Sequence, residues 1–207
     1  MPLEPVTLKA LIAAAAERII ASAPELTALD QAIGDGDHGA NMKRGFEAVL
    51  SRLDIIGEQP QGEAVRTIGK TLVMTVGGAS GPLYGSFFMA MGDAIIRGGR
   101  LPEDLAEIFA AGVDAVSARG RSKAGEKTML DVLVPVLDKL RAEDGRPDLI
   151  RRVCTTASDA VARTAPMLAT KGRASFLGER SIGHIDPGAQ SSCLLVHAIC
   201  STLEARL

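Results

Sequence analysis

Apolar positions along this chain recur at steps of three and four. From Thr7 to Ser22, Leu8, Leu11, Ile12, Ala15 and Ile19 fall on one helical stripe, with Thr7 placed to cap it. From Glu103 to Arg119, Leu105, Ile108, Phe109, Gly112, Val113 and Val116 repeat that spacing. The pattern predicts long helices over 7–22, 39–54, 61–76, 82–97, 103–119, 128–141, 147–168 and 189–205, with a short helical turn near 25–31. No segment alternates apolar and polar positions for long, and no tight Asn-Gly or Asp-Gly turn joins two β-branched runs. The expected fold is all-α: one domain over residues 1–207, about eight antiparallel helices joined by short loops. Pro135 lies inside the 128–141 pattern, where a missing backbone donor predicts a kink, and Pro166 lies near the last turn of 147–168.

Glycines collect outside these helices, at 34–39, 77–81, 119–126 and 172–188. In an up-and-down bundle every second loop lies at the same end. The loops before helices 39–54, 82–97, 128–141 and 189–205 are every second one, so all four are expected to meet at one end.

Composition narrows the function. The 207 residues, 46% hydrophobic and 23% charged, suit a folded domain with a sizeable core. A net charge of -2 provides no broad basic field for nucleic acid or anionic lipid. With 3% aromatics and no Trp, stacking platforms for single strands are also absent. Glu4 and Glu17 bracket the apolar run 11–16 without a basic leader, and no apolar stretch approaches the length of a membrane span. Cys154, Cys193 and Cys200 make no even disulfide set, and the cytoplasm is the expected compartment.

The densest chemistry is in "LDQAIGDGDHGANMKRGF", residues 29–46. Asp30, Asp35 and Asp37 crowd together with no Lys or Arg before Lys43, so the like charges call for a cation. Hard carboxylate oxygens around a small space point to Mg²⁺, with room for two ions. An EF-hand is excluded: counted from Asp35, Ala40 stands where Gly is needed and Phe46 where Glu is needed. Asp37 as a simple cap of helix 39–54 explains one aspartate, not three.

The second loop, "VGGASGPLYG", places Pro82 in a first helical turn behind unobstructed backbone N–H groups, an anion site as well as a tight turn. A similar start lies at His38, Gly39, Ala40 and Asn41. "GKT" at 69–71 is no Walker A loop, since Ala64 stands where its first Gly is required and no strand precedes it. In the third loop Thr128 and Asp131 have the spacing of a capping box. The fourth carries Lys171, Arg173 and Arg180, suited to phosphate charge, and is long for a loop without function. Cys193, His197 and Cys200 share a helical face that would suit Zn²⁺, but their apolar neighbours make core packing the simpler reading. The three histidines assemble no Ser-His-Asp arrangement.

Four blocks, "LDQAIGDGDHGANMKRGF", "GGASGPLYGSFF", "GEKTMLDVLVPV" and "KGRASFLGERSIGHIDPGAQS", in this order over nearly the whole chain, resemble the L subunit of dihydroxyacetone kinase. The resemblance implies an antiparallel eight-helix barrel with ADP or ATP at one end, its diphosphate bound through two Mg²⁺ ions on Asp30, Asp35 and Asp37. It implies nucleotide contacts at His38, Gly39, Ala40, Asn41, Ala79, Ser80, Gly120, Met129, Arg173, Asp186, Pro187 and Gly188. It also implies a partner K subunit that holds dihydroxyacetone covalently on its own histidine, so that no residue of this chain need be phosphorylated. A free-standing chain resembles the members whose ADP is a bound cofactor, rephosphorylated by a phosphotransferase-system protein fed by phosphoenolpyruvate. Exchange of ATP as an ordinary substrate is the alternative, and docking to a transcription regulator is a role of another class.

Overall fold

The computed structural model describes residues 4–142 and 148–206. Among them the secondary structure is entirely helical: α1 (Pro5–Ala21), α2 (Ala23–Ile33), α3 (His38–Leu50), α4 (Leu53–Gly57), α5 (Gln61–Thr75), α6 (Ser80–Ile96), α7 (Leu105–Gly120), α8 (Leu130–Ala142), α9 (Leu149–Thr164) and α10 (Pro187–Glu204). A 3₁₀ segment, Arg173–Ser181, belongs to a strap running from 165 to 186. The all-α expectation holds, and no described helix is long and apolar enough to cross a membrane.

Burial explains where the elements differ from the periodicity. The turn expected near 25–31 is a full helix, because Ala23, Leu26, Asp30 and Ile33 make one buried stripe. The 39–54 helix stops at Leu50. Arg52 then starts the short α4, which folds back so that Lys9 of α1 reaches Asp54 at 3.4 Å and Glu58 at 3.7 Å. α8 runs through Pro135 as one helix, so the expected kink does not divide it. α9 ends at Thr164, two residues before Pro166, and the first position of its expected range, 147, lies outside the described residues.

Eight helices pack in a closed order: α1 on α3, then α5, α6, α7, α8, α9 and α10, which returns to α1. They wall an apolar cavity of about 300 Å³ lined by Leu8, Phe46, Ile68, Phe109, Leu133 and Leu195, among others. α2 and the strap lie outside this ring, packed on each other. The tightest pair is α5 with α6. Gly62 and Gly69 face Gly92 and Gly85, and a Cβ on Gly69 would stand 2.7 Å from the Gly85 carbonyl oxygen. Glycine one heptad apart on both helices lets the backbones touch in antiparallel register.

Candidate functional site

Ring order brings four helix ends together. The N-termini of α3, α6, α8 and α10 meet around a cavity of about 480 Å³, and the four glycine-rich loops all contribute to its lining. His38 fastens this end. Its ring is buried, with Nδ1 3.0 Å from Ser80 Oγ at the start of α6 and Nε2 2.9 Å from Ser191 Oγ in α10. Burial holds the imidazole below its usual range, against the opposing pull of Asp30 and Asp37. Tyr84 adds a second tie: its hydroxyl lies 2.7 Å from Ser191 Oγ and 2.9 Å from Ser192 Oγ, and burial raises its pKa to about 12.

Asp30, Asp35 and Asp37 converge, each offering an oxygen within 4.8 Å of the others. Asp30 is buried on the last turns of α2, and its Oδ2 accepts from the His38 backbone N–H at 3.1 Å. It therefore caps α3 from outside. Asp37 occupies the N-cap position but makes no side-chain cap, so its carboxylate is left to the cluster. Gly36, with φ +75°, makes the turn that puts Asp35 and Asp37 on one side. Arg173 reaches in from the strap, its guanidinium 2.9 Å from Asp35 Oδ2. All-oxygen, carboxylate-rich donors fit Mg²⁺ in kind. The cluster stands alone as a metal-type group among the described residues. Cys193 and Cys200 lie in the core, and His197 pairs with Ser158 at 2.9 Å, so the zinc alternative has no site.

The third and fourth loops are organised by buried charge. Asp131 accepts from the Thr128 backbone N–H at 2.7 Å and from that of Gly125. It makes its half of the expected capping box, while Thr128 Oγ1 takes the N–H of Leu130 instead. Lys127, 1% exposed and at φ +61°, donates to the carbonyls of Ala165, Met167 and Ser181 at 3.3, 3.1 and 2.6 Å. All three ammonium protons are used, and burial lowers its pKa. Asp186 caps α10 through the Ala189 N–H at 2.7 Å. Burial raises its pKa to about 7, with Asp131 adding repulsion and Lys127 opposing it.

The cavity collects Asp30, Asp35, Asp37, His38, Ala79, Ser80, Gly120, Met129, Arg173, Asp186, Pro187 and Gly188. Gly39, Ala40 and Asn41 are not among its lining residues: Gly39 packs on the α2 backbone at Ala23, Ala40 is exposed, and Asn41, which lies against Gly77 and Gly78, accepts from Arg44 at 2.6 Å. Lys127, Tyr84 and Ser191 escaped the sequence reading. A lysine next to a glutamate in a glycine-rich loop looks solvated, and only the strap folded over it makes it buried.

A family model described as the DAK2 domain matches residues 32–201. The chain is 45% identical over 186 residues to the PEP-dependent dihydroxyacetone kinase 1, ADP-binding subunit DhaL, of Listeria innocua serovar 6a, covering 90% of each chain. It is 44% identical over 179 residues to the corresponding ADP-binding subunit of Escherichia coli, covering 84% of this chain and 85% of that one. The crystal structure of the dihydroxyacetone kinase from C. freundii in complex with AMP-PNP and Mg²⁺ superposes with a TM-score of 0.78 at 24% identity, over 97% of this chain. This chain spans 34% of that larger protein, and the likeness shows the fold. By sequence and by fold, the chain belongs to the family of DAK2-domain proteins that includes the ADP-binding subunits of dihydroxyacetone kinases.

Proposed function

We propose that this protein is the nucleotide-carrying subunit of a dihydroxyacetone kinase. It holds ADP at the four-loop end of an antiparallel eight-helix barrel; phosphorylated to ATP in place, this nucleotide gives its terminal phosphoryl group to a hydroxyl of dihydroxyacetone held covalently on a partner K subunit and returns to ADP. A phosphotransferase-system protein fed by phosphoenolpyruvate then rephosphorylates the ADP in place. The observation that carries this is the convergence of three carboxylates within 4.8 Å at the edge of a 480 Å³ cavity walled by helix starts. The closed order of eight helices around an apolar interior supports the barrel. The named relatives, ADP-binding subunits of PEP-dependent kinases, support the nucleotide and its donor.

Asp30, Asp35 and Asp37 are the residues that would hold Mg²⁺, which when bound would offset the charge of a diphosphate. Ala79 and Ser80, at the positive end of α6, line the same space, where free helix-start N–H groups suit an anion. Arg173, with a side chain 70% exposed, can exchange Asp35 for a phosphate oxygen. Met129 and Val116 give the cavity an apolar side suited to the flat base of a nucleotide. His38 has both ring nitrogens engaged by hydroxyls, so it positions helix starts and takes no phosphoryl group. Catalysis by this chain is positioning and charge neutralisation.

Protein loaded with labelled ADP and turned over with the K subunit tests the scheme. Retained label, with product formed only when the phosphoenolpyruvate-fed phosphocarrier is added, is expected. Rapid loss of label with steady product from ATP alone would establish ATP as an exchanging substrate.

A further inference from the structure

Arg44 is an exposed arginine whose hydrogen bonds go to neutral oxygens on two helices. Its Nη2 donates at 2.6 Å to Oδ1 of Asn41, one turn back on α3. Its Nε donates at 2.7 Å to the Thr75 carbonyl, at the end of α5. A surface arginine ordinarily faces carboxylates or water. This one acts as a fork that joins the start of α3 to the end of α5, and the planar guanidinium fixes both bonds at once.

Each bond sets the geometry of a group beside the cavity. The guanidinium can only donate, so the amide oxygen of Asn41 turns to it and the amide NH₂ turns away. That NH₂ lies against the second loop, with Asn41 Nδ2 3.9 Å from where a Cβ on Gly78 would stand. Asn41 is buried, which leaves the amide little room to reorient. Thr75 is the last residue of α5, where carbonyls lack helical partners and a cation is favoured. Arg44 answers both needs, and so fixes the point at which residues 76–79 leave α5 for the start of α6. The loop is fitted to this pair. A Cβ on Gly77 would stand 2.7 Å from Asn41 Oδ1 and 3.0 Å from Arg44 Nη2, and Gly78 holds a φ of +64°. Gly77, Gly78, Ala79 and Ser80 line the cavity, whereas Arg44 and Asn41 are not among its lining residues.

We propose that Arg44 is a positioning residue of the nucleotide site: through Asn41 and the Thr75 carbonyl it holds the 77–80 loop in the shape that receives a phosphate group of ADP. This rests on the function proposed above, with the nucleotide at the four-loop end. Anion binding at a helix start works best with N–H groups already aimed, because ordering them on binding costs affinity. Charge alone is the weaker account. Asp30, Asp35, Asp37 and Arg173 hold the nearer charges at that end, and the exposed charge of Arg44 is screened by water and salt. What Arg44 supplies that a lysine cannot is two bonds from one rigid plane.

The test compares wild type, Arg44→Lys and Arg44→Ala. ADP–Mg²⁺ affinity is measured by calorimetry and adenosine affinity by NMR titration, with the melting temperature of each apo protein alongside. ADP–Mg²⁺ affinity should fall about tenfold in Arg44→Ala, and nearly as far in Arg44→Lys, which keeps the charge and loses the fork. Adenosine affinity should hold in both, because adenosine carries no phosphate for the loop to receive, and the apo melting temperatures should stay within a few degrees of wild type. Full ADP–Mg²⁺ affinity in Arg44→Lys assigns the effect to charge, and full affinity in Arg44→Ala removes the residue from the site. Either result overturns the positioning role and leaves the function standing. Equal losses for ADP–Mg²⁺ and adenosine mean a general loosening of the fold and overturn it as well. A wild type that binds no ADP–Mg²⁺ overturns both readings.

Discussion

Asp35 stands between two other carboxylates and one guanidinium. The sequence around it offers no cation before Lys43, but Arg173 arrives from the strap at 2.9 Å. Both partners are partly exposed, so the pair stabilises by at most about 1 kcal/mol. Relief of repulsion on neutralising Asp35 is of similar size and opposite sign. Asp35→Asn should therefore melt within a few degrees of wild type in the apo form, yet lose Mg²⁺-dependent ADP binding by more than about tenfold. Calorimetry showing unchanged affinity would sink the metal assignment. Asp186 gives a pH signature. Its folded pKa of about 7 lies above the 3.8 of a free carboxyl, so the folded chain keeps a proton that the unfolded chain has lost. That contribution is fully present below pH ~4 and is lost as pH rises through about 7. Asp186→Asn retains an oxygen to cap Ala189 and should flatten this decline, measured as the difference in melting temperature between pH 5 and pH 7.5. An identical decline in the variant would place the titration elsewhere.

The strap is the element that the linear pattern described least well. Residues 172–188 read as a long glycine-rich loop with basic side chains, and that much was correct. Its 3₁₀ segment depends on Ala174 and Leu177 meeting Ile33, and its base depends on Lys127 meeting three carbonyls. No periodicity encodes either contact. Lys127→Met removes the donor shared by three carbonyls, of which that of Ser181 is buried and that of Ala165 keeps the Gly183 N–H. A loss on the order of 3 kcal/mol in urea denaturation is expected. Faster amide hydrogen exchange should be confined to 165–186. Exchange that speeds up evenly over the molecule would mean that Lys127 does not act as the clamp of this element.

For the whole molecule, the four loops come from helices far apart in sequence, so a ligand bridging them ties the closed ring at its open end. ADP with Mg²⁺ should stabilise the fold by roughly 2.7 kcal/mol at one hundred times the dissociation constant. For a domain of this size that is a rise of roughly 5–10 °C in melting temperature. Either component alone should give little, and EDTA should abolish the shift. Equal shifts with EDTA present would count against a diphosphate bridged by metal.

The eight helices of the ring and the alternation that sends four loops to one end were legible in the sequence, because periodic burial and glycine placement are local properties of the chain; α2 read as a turn and α4 as the end of a longer helix. The carboxylate cluster was legible for the same reason: Asp35 and Asp37 are two residues apart, and Asp30 is one short segment away. What only the tertiary structure decided are the contacts between distant segments. Asp30, not Asp37, satisfies the His38 amide, because burial on α2 aims its carboxylate at that helix start. His38 bridges Ser80 and Ser191, Arg173 answers Asp35, and Lys127 is interior instead of solvated. At the start of α3, Gly39 packs on the α2 backbone, while Asn41 lies against Gly77 and Gly78 of the second loop, a neighbour that spacing alone does not reveal. Hydrogen bonds and ion pairs between segments depend on which faces the closed packing brings together, and one-dimensional spacing does not carry that information.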